Sequence, residues 1–325
     1  MDCKLRELLI DNVKQANYKT PTPIQRYALP IILEGRDVMA CAQTGSGKTA
    51  AYILPMLHYI LANDCSSSGF DDSAKPVGLV VAPTRELAVQ INDEARKFAY
   101  GSSVRCVVSY GGTSVRYQKD QLLKGCQLLV ATPGRLKDFL EKGLISFERL
   151  KFLVFDEADR MLDMGFIGDM KCLVESKSMP DKTNRNTLMF SATFASDVQQ
   201  LAAEFLNDYL FIVVGIVGAA NTDVRQTVLN VEQHEKRAAL QNTLNDILAD
   251  STTNKILIFV ETKRTADFLA AYFSTQELSC TSIHGDRYQK QREEALSQFK
   301  LGIRNILIAT SVAARGLGNL VFYCT

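Results

Sequence analysis

A short apolar run at 38–41 leads into Gln43-Thr44-Gly45-Ser46-Gly47-Lys48-Thr49, and a helical pattern over 49–62 follows. Strand, glycine-rich loop and helix in that order admit few folds. Glycines let the backbone turn tightly, so that successive amides point inward. Lys48 adds a point charge, Thr49 a hydroxyl, and the helix N-terminus its dipole. These groups suit the phosphates of a nucleotide, and the expected contacts run from Gln43 through Thr44, Gly45, Ser46, Gly47, Lys48 and Thr49 to Ala50. Ala42 stands where the general pattern has glycine, so the generic motif is missed by one residue.

The rest of the chain repeats the alternation. Strands are expected at 77–81, 105–110, 128–131, 152–155 and 187–190, with helices at 86–99 and 198–205 among the stretches between. Such alternation predicts a mostly parallel sheet with helices on both faces, whose ligands gather at the carboxyl ends of the strands. The polar segment 63–75 reads as a surface loop. Small and polar residues at 215–223 read as a linker between a first domain at 1–214 and a second at 224–325. In the second domain strands are expected at 226–231, 255–260, 280–283 and 305–309, and helices at 236–248, 264–273 and 289–299. This is another α/β sheet, without a phosphate loop of its own.

Two further groups bear on the first domain. Asp156 ends the apolar run 152–155, where a carboxylate is placed to hold magnesium through water, with Thr49 and Glu157 as its companions. Glu157 is also placed to orient or deprotonate an attacking water, and Asp159 to tie this loop to the next. Alone, such an acidic cluster is a solvated loop; the phosphate loop in the same domain gives it a use. Gln25 follows Pro23 and Ile24, and its amide both donates and accepts, which suits the edge of an adenine ring.

Composition sets the outer bounds. With 325 residues, 46% hydrophobic and 22% charged, the chain can build two real cores. A formal net charge of +1 neither argues for nor excludes a nucleic-acid partner, since a basic groove can sit inside a neutral total. The eight cysteines form no CxxC pair, and with three histidines they predict reduced thiols and no zinc site. Lys4, Arg6 and Glu7 charge the first helical stretch, which therefore does not read as a signal peptide, and no stretch has the length of a membrane span.

With these residues in place the chain resembles the DEAD-box ATP-dependent RNA helicases, and within them the Vasa-like germline branch. Tyr18, Thr20 and Pro21-Thr22-Pro23-Ile24-Gln25 are similar to the adenine-reading motif, and the family's phosphate loop tolerates Ala42. Pro83-Thr84-Arg85, Gly111-Gly112 and Thr132-Pro133-Gly134-Arg135 resemble RNA-contacting motifs. Ser191-Ala192-Thr193 resembles the motif coupling hydrolysis to strand separation, which makes Lys48, Asp156, Glu157, Asp159, Ser191 and Thr193 the implied catalytic set. In the second domain Glu261-Thr262, His284-Gly285, Gln289, Arg292, Thr310 and Gly316 resemble further RNA-contacting positions.

The resemblance implies an α/β fold of two RecA-like parallel-sheet domains of the P-loop NTPase kind, the second incomplete. It implies ATP and Mg2+ as cofactors, RNA as partner, and non-processive unwinding of short duplexes by a monomer. Germ-granule or translation proteins are implied as further partners, with no membrane, in the cytoplasm including perinuclear germ granules. RNA would be held by its backbone with little base reading.

The chain also departs from the family pattern. An aromatic residue that stacks on adenine in the family would lie before Met1, and Gly318 stands where an aspartate is expected. The two arginine fingers of the family would fall after the last residue, Thr325. Such fingers are worth orders of magnitude in rate, so these residues are expected to bind ATP with little turnover, and the second sheet to be left with unpaired edges. A non-enzymatic ATP- or RNA-binding fragment and a scaffold on a degenerate ATPase fold stay open beside the helicase.

Overall fold

The computed structural model describes residues 5–65, 73–215, 226–249 and 255–310, together with the backbone of 321–324. Residues 66–72 of the expected loop (63–75), residues 216–223 of the expected linker (215–223), and Gly316 lie outside the described residues. The chain divides into two compact units, Met1–Asn221 and Thr222–Thr325.

In the first unit, α1 (Glu7–Gln15) and α2 (Pro23–Leu33) precede β1 (Val38–Ala42) and α3 (Lys48–Ala62). Then come β2 (Gly78–Val81), α4 (Arg85–Phe98), β3 (Cys106–Ser109), α5 (Val115–Leu123), β4 (Leu128–Ala131) and α6 (Pro133–Glu141). The unit closes with β5 (Phe152–Phe155), α7 (Ala158–Asp163), α8 (Ile167–Val174), β6 (Asn186–Ser191), α9 (Ser196–Phe205) and β7 (Leu210–Val214). The strands make one seven-stranded sheet in the order β3-β4-β2-β5-β6-β1-β7, and every pairing is parallel.

The strand sequences explain the layering. Val38-Met39-Ala40-Cys41-Ala42 and Phe152-Leu153-Val154-Phe155 are buried along their whole length, as strands covered on both faces must be. Successive side chains point to opposite faces. Val38, Ala40, Val80, Val130 and Val154 therefore enter one core, with Leu9 of α1, Ile24 of α2, Ile53 of α3 and Ile91 of α4. Met39, Leu79, Leu129, Leu153 and Phe155 enter the other, with Phe139 of α6, Met161 of α7, Met170 of α8 and Phe205 of α9.

The second unit holds α10 (Lys236–Ala249), β8 (Ile256–Val260), α11 (Lys263–Ser274), β9 (Cys280–Ile283), α12 (Gln289–Lys300), β10 (Ile306–Thr310) and β11 (Val321–Cys324). Its four strands pair in parallel in the order β11-β8-β10-β9. The backbone from Val321 to Cys324 runs beside that from Ile256 to Phe259, so that β11 and β9 are the edge strands of this sheet. One expectation changes here. The strand expected at 226–231 is absent, and Val228 and Leu229 stand 94% and 60% exposed. Thr227, Val228 and Val231 are β-branched and satisfy strand propensity, but propensity without a neighbouring strand to bond to builds no ladder. β7 was not expected at all; it is an edge strand with Leu210, Phe211 and Val213 partly open to solvent, so its pattern is blurred.

Among the described residues, Cys41, Cys65, Cys106, Cys126, Cys172 and Cys280 are free thiols, and no helix is long and apolar enough to cross a membrane.

Candidate functional site

The carboxyl end of β1 opens into the glycine-rich loop. Gly45 and Gly47 take φ of +81° and +88°, a region closed to most side chains, and Gly47 caps the start of α3. This turns the first amides of a fifteen-residue helix toward one point. Lys48 is buried and its Nζ donates to the carbonyl of Ala42 at 2.8 Å, closing the loop on itself. The Ser46 hydroxyl is buried without a protein partner.

Gln25 braces the loop from α2. Its Oε1 accepts from the Thr22 amide at 2.9 Å, and its Nε2 donates to the Gly47 carbonyl at 3.1 Å. Of the other residues expected to contact the nucleotide, Tyr18 packs on α4, its hydroxyl donating to Glu94 Oε1 at 2.5 Å and its ring edge-on to Phe98. Thr20 is exposed, and Ala50 is buried in the core face of α3.

β5 delivers the carboxylates. Asp156 is buried; its Oδ2 accepts from the Tyr52 hydroxyl at 2.8 Å and its Oδ1 from the Glu157 amide at 3.0 Å. Burial pushes the Asp156 carboxyl up, against the pull of the Lys48 charge and of these two hydrogen bonds. Glu157 takes φ of +54°, a left-handed conformation that a non-glycine residue holds at a cost of about 1–3 kcal/mol. Its Oε2 is buried without a partner, and burial together with the neighbouring Asp156 charge pushes its carboxyl up to about 7. Asp159 makes the expected tie to the next loop: Thr193 Oγ1 donates to its Oδ2 at 3.1 Å, while the Thr193 amide donates to Ser191 Oγ at 3.3 Å.

These residues fit a phosphate-borne Mg2+. Among the described residues no group of three or more His, Cys, Asp or Glu side chains is gathered to hold a metal. Mg2+ keeps waters and phosphate oxygens and needs only one or two carboxylates. Buried, unpartnered oxygens on Ser46 and Glu157 are what such a site leaves when its ligand supplies the missing bonds.

A second group lies at the ends of β2, β3 and β4. Pro83 precedes Thr84, which caps α4 by accepting from the Leu87 amide at 3.3 Å. Arg85 at the start of α4 lies over the turn after β3: a Cβ on Gly112 would meet its guanidinium at 2.5 Å, and one on Gly111 at 3.5 Å. Thr132 donates its amide to the Ser109 carbonyl at 3.0 Å, Pro133 starts α6, and Gly134 faces open space. Arg135 donates to the Thr113 carbonyl at 3.4 Å and stacks over Phe139 at 5.2 Å. Buried Gln118, which the sequence did not single out, organises the turn. Its Oε1 accepts from Ser109 Oγ at 2.7 Å and the Tyr110 amide at 3.2 Å; its Nε2 donates to the Tyr110 carbonyl at 2.8 Å and to Thr113 Oγ1.

In the second unit the expected residues also follow strand ends. Glu261 and Thr262 follow β8, with Thr262 capping α11 by accepting from the Thr265 amide at 3.1 Å. His284 and Gly285 follow β9, Gln289 and Arg292 lie on the first turns of α12, and Thr310 ends β10. Asp267 gathers this edge: its Oδ1 accepts from Ser282 Oγ at 2.7 Å and Arg287 Nη2 at 3.1 Å, and lies 2.9 Å from His284 Nε2.

Residues 22–201 match the family described as DEAD/DEAH box helicase, and residues 235–318 the helicase conserved C-terminal domain. The chain belongs to the DEAD/DEAH box helicases. Among helicases of this kind it is 57% identical, over 96% of its length and 44% of the relative's, to a probable ATP-dependent RNA helicase vasa-like of Penaeus vannamei. It is 51% identical, over 97% of its length and 43% of the relative's, to the probable ATP-dependent RNA helicase DDX4 of Homo sapiens. The chain thus spans less than half the length of these curated relatives. Among solved helicases, Prp28 of Chaetomium thermophilum bound to ADP superposes with a TM-score of 0.57 at 37% identity, covering 96% of this chain and 72% of that one. A DEAD box protein of Methanococcus jannaschii gives 0.59 at 30%, covering 98% and 82%.

In this chain the sheet order sorts the motifs. Strands β5, β6 and β1 are neighbours and carry the acidic, Ser191–Thr193 and phosphate-loop segments. Strands β3, β4 and β2 are neighbours and carry the glycine and arginine segments. Sequence reasoning missed Gln118, Asp267 and Tyr52. Only Tyr52 had a signal: it stands one helical turn after Thr49, on the same face.

Proposed function

We propose that this chain carries the ATP- and RNA-binding machinery of an ATP-dependent RNA helicase of the Vasa-like branch, a kind that separates short RNA duplexes non-processively. The observation that carries the reading is the division of one parallel sheet edge into two adjoining sets. The glycine-rich and acidic loops follow β1, β5 and β6, while Arg85, packed over Gly112, and Arg135 lie after β2, β3 and β4. Ligands of parallel sheets sit at that edge.

In this reading the amides of the loop from Thr44 to Thr49 receive the phosphates of ATP. Lys48 gives up the Ala42 carbonyl to meet them. Thr49 and Asp156, with Glu157 beside them, would hold Mg2+, which supplies charge neutralisation on the phosphates. Glu157, raised by burial, orients the attacking water and accepts its proton. Thr193 and Asp159 join the acidic loop to the Ser191 loop, so that a change at the phosphates reaches the next strand. Arg85 and Arg135 meet RNA phosphates at the other half of the edge, aided by Thr84, Thr132, Gly111, Gly112 and Gly134. In the second unit Glu261, Thr262, His284, Gly285, Gln289, Arg292 and Thr310 take the same part. The chain works as a monomer in the cytoplasm, with germ-granule or translation proteins as partners.

The test is calorimetry on the 325-residue chain with a non-hydrolysable ATP analogue and Mg2+, and with single-stranded RNA or DNA. The wild-type chain binds the analogue, Lys48→Ala does not, and RNA but not DNA binds more tightly with the analogue present. Absence of any heat with the analogue in the wild-type chain overturns the reading.

A further inference from the structure

Tyr52 is fully buried in α3, its ring 5.0 Å from that of Phe190. Its hydroxyl is the unusual part. The phenol donates to Asp156 Oδ2 at 2.8 Å. Both oxygens of Asp156 are thereby held, Oδ2 by Tyr52 and Oδ1 by the Glu157 amide at 3.0 Å, and each carboxylate oxygen keeps a lone pair for a further ligand.

We propose that Tyr52 is a positioning residue for the metal site: its hydroxyl holds the Asp156 carboxylate in the orientation that Mg2+ requires. The inference rests on the reading of Thr49 and Asp156 as the Mg2+-holding pair of an ATP site. It goes further by assigning a role to the phenolic oxygen, which packing alone does not need. A phenylalanine would fill the same space beside Phe190 and leave the Asp156 carboxylate freer to turn. Outer groups that orient metal ligands matter because Mg2+ tolerates little departure from octahedral geometry.

The experiment compares wild type, Tyr52→Phe and Phe190→Leu at one pH. Binding of a fluorescent N-methylanthraniloyl ATP is followed while MgCl2 is titrated, and again in EDTA; chemical unfolding is followed by circular dichroism. In Tyr52→Phe the Mg2+ concentration at half-saturation rises about tenfold, while metal-free nucleotide affinity stays within twofold. Phe190→Leu loosens the packing around the ring, so it lowers the unfolding midpoint and leaves the Mg2+ half-saturation unchanged. An unchanged Mg2+ half-saturation in Tyr52→Phe, with wild type binding normally, overturns the inference alone. So does an equal rise in Phe190→Leu, which would make the effect one of packing. Wild type that binds the nucleotide in neither condition takes down the underlying reading and this inference together.

Discussion

Gln25 and Gly47, twenty-two positions apart, meet through a single hydrogen bond, the Gln25 amide nitrogen donating to the Gly47 carbonyl at 3.1 Å. A Cβ on Gly47 would stand 2.5 Å from that nitrogen, and the residue's φ of +88° is itself unfavourable for any L side chain. Gly47→Ala is expected to destabilise the chain by about 1–2 kcal/mol from backbone strain and to add a clash with Gln25. Gln25→Ala removes the brace of α2 and the clash together. In urea unfolding the double variant is therefore more stable than the sum of the single effects predicts. Strict additivity would mean that the two side chains do not meet.

Glu157 gives the first unit a pH signature. Its carboxyl is raised by burial, then by Asp156, from 4.5 to about 7. Between these values the folded chain holds a proton that the unfolded chain has released. Stability therefore falls as pH rises through that window, and the loss is complete above about 7. Glu157→Gln carries no such charge. It is expected to flatten this part of the profile and to raise the unfolding temperature of the nucleotide-free chain at pH ~8 by about 2–4 °C. Parallel pH profiles for the two proteins would contradict the assignment.

Gln118 should act on RNA without touching it. Gln118→Ala leaves the turn from Ser109 to Thr113 without its four side-chain bonds, and a buried group left unpaired costs about 1–3 kcal/mol. RNA affinity is expected to fall about tenfold, with nucleotide affinity unchanged. Because no cation is removed, the slope of log affinity against log salt stays that of wild type, whereas Arg135→Ala makes it shallower. Fluorescence anisotropy with a labelled single-stranded RNA at four or five salt concentrations distinguishes them. A shallower slope in Gln118→Ala would show that the residue acts in another way.

Asp267 gives the second unit the opposite signature. Burial works to raise its carboxyl, but hydrogen bonds from Ser282, His284 and Arg287 outweigh it and lower it from 3.8 to about 2. The stability it contributes is present above its unfolded value and lost as pH falls from about 3.8 toward 2. The side chain is half exposed, so the contribution is small, under about 1 kcal/mol. Asp267→Asn is expected to lower the urea midpoint of the second unit slightly at pH ~7 and to lose that acid dependence. A wild-type midpoint that the substitution leaves unmoved at neutral pH would remove Asp267 from its organising role.

Much of the fold was legible because a parallel sheet covered on both faces writes itself as continuous apolar runs. The expected strands at 128–131, 152–155 and 280–283 agree with β4, β5 and β9 to the residue. Edges were harder. β7 is partly solvated and lacks the pure apolar run, and Val228 and Leu229 have strand propensity without a strand to join. Local motifs behaved like the central strands: Gly47, Lys48, Asp156 and Asp159 fall at strand ends, where strand–loop–helix logic put them.

The sequence by itself determined which chemistry each loop can carry, because backbone freedom at Gly45 and Gly47 and charge at Lys48, Asp156 and Arg85 are properties of the residues and their immediate neighbours. Only the tertiary structure decided which loops meet. The strand order places β1 beside β6 and β2 beside β4, joins Thr193 to Asp159, and brings Tyr52 under Asp156 across 104 positions of chain. Such pairings arise from how the helices cross between strands and pack, which local spacing does not encode. For the same reason Gln118 and Tyr52, whose partners are supplied by the fold, carried little or no mark in the sequence.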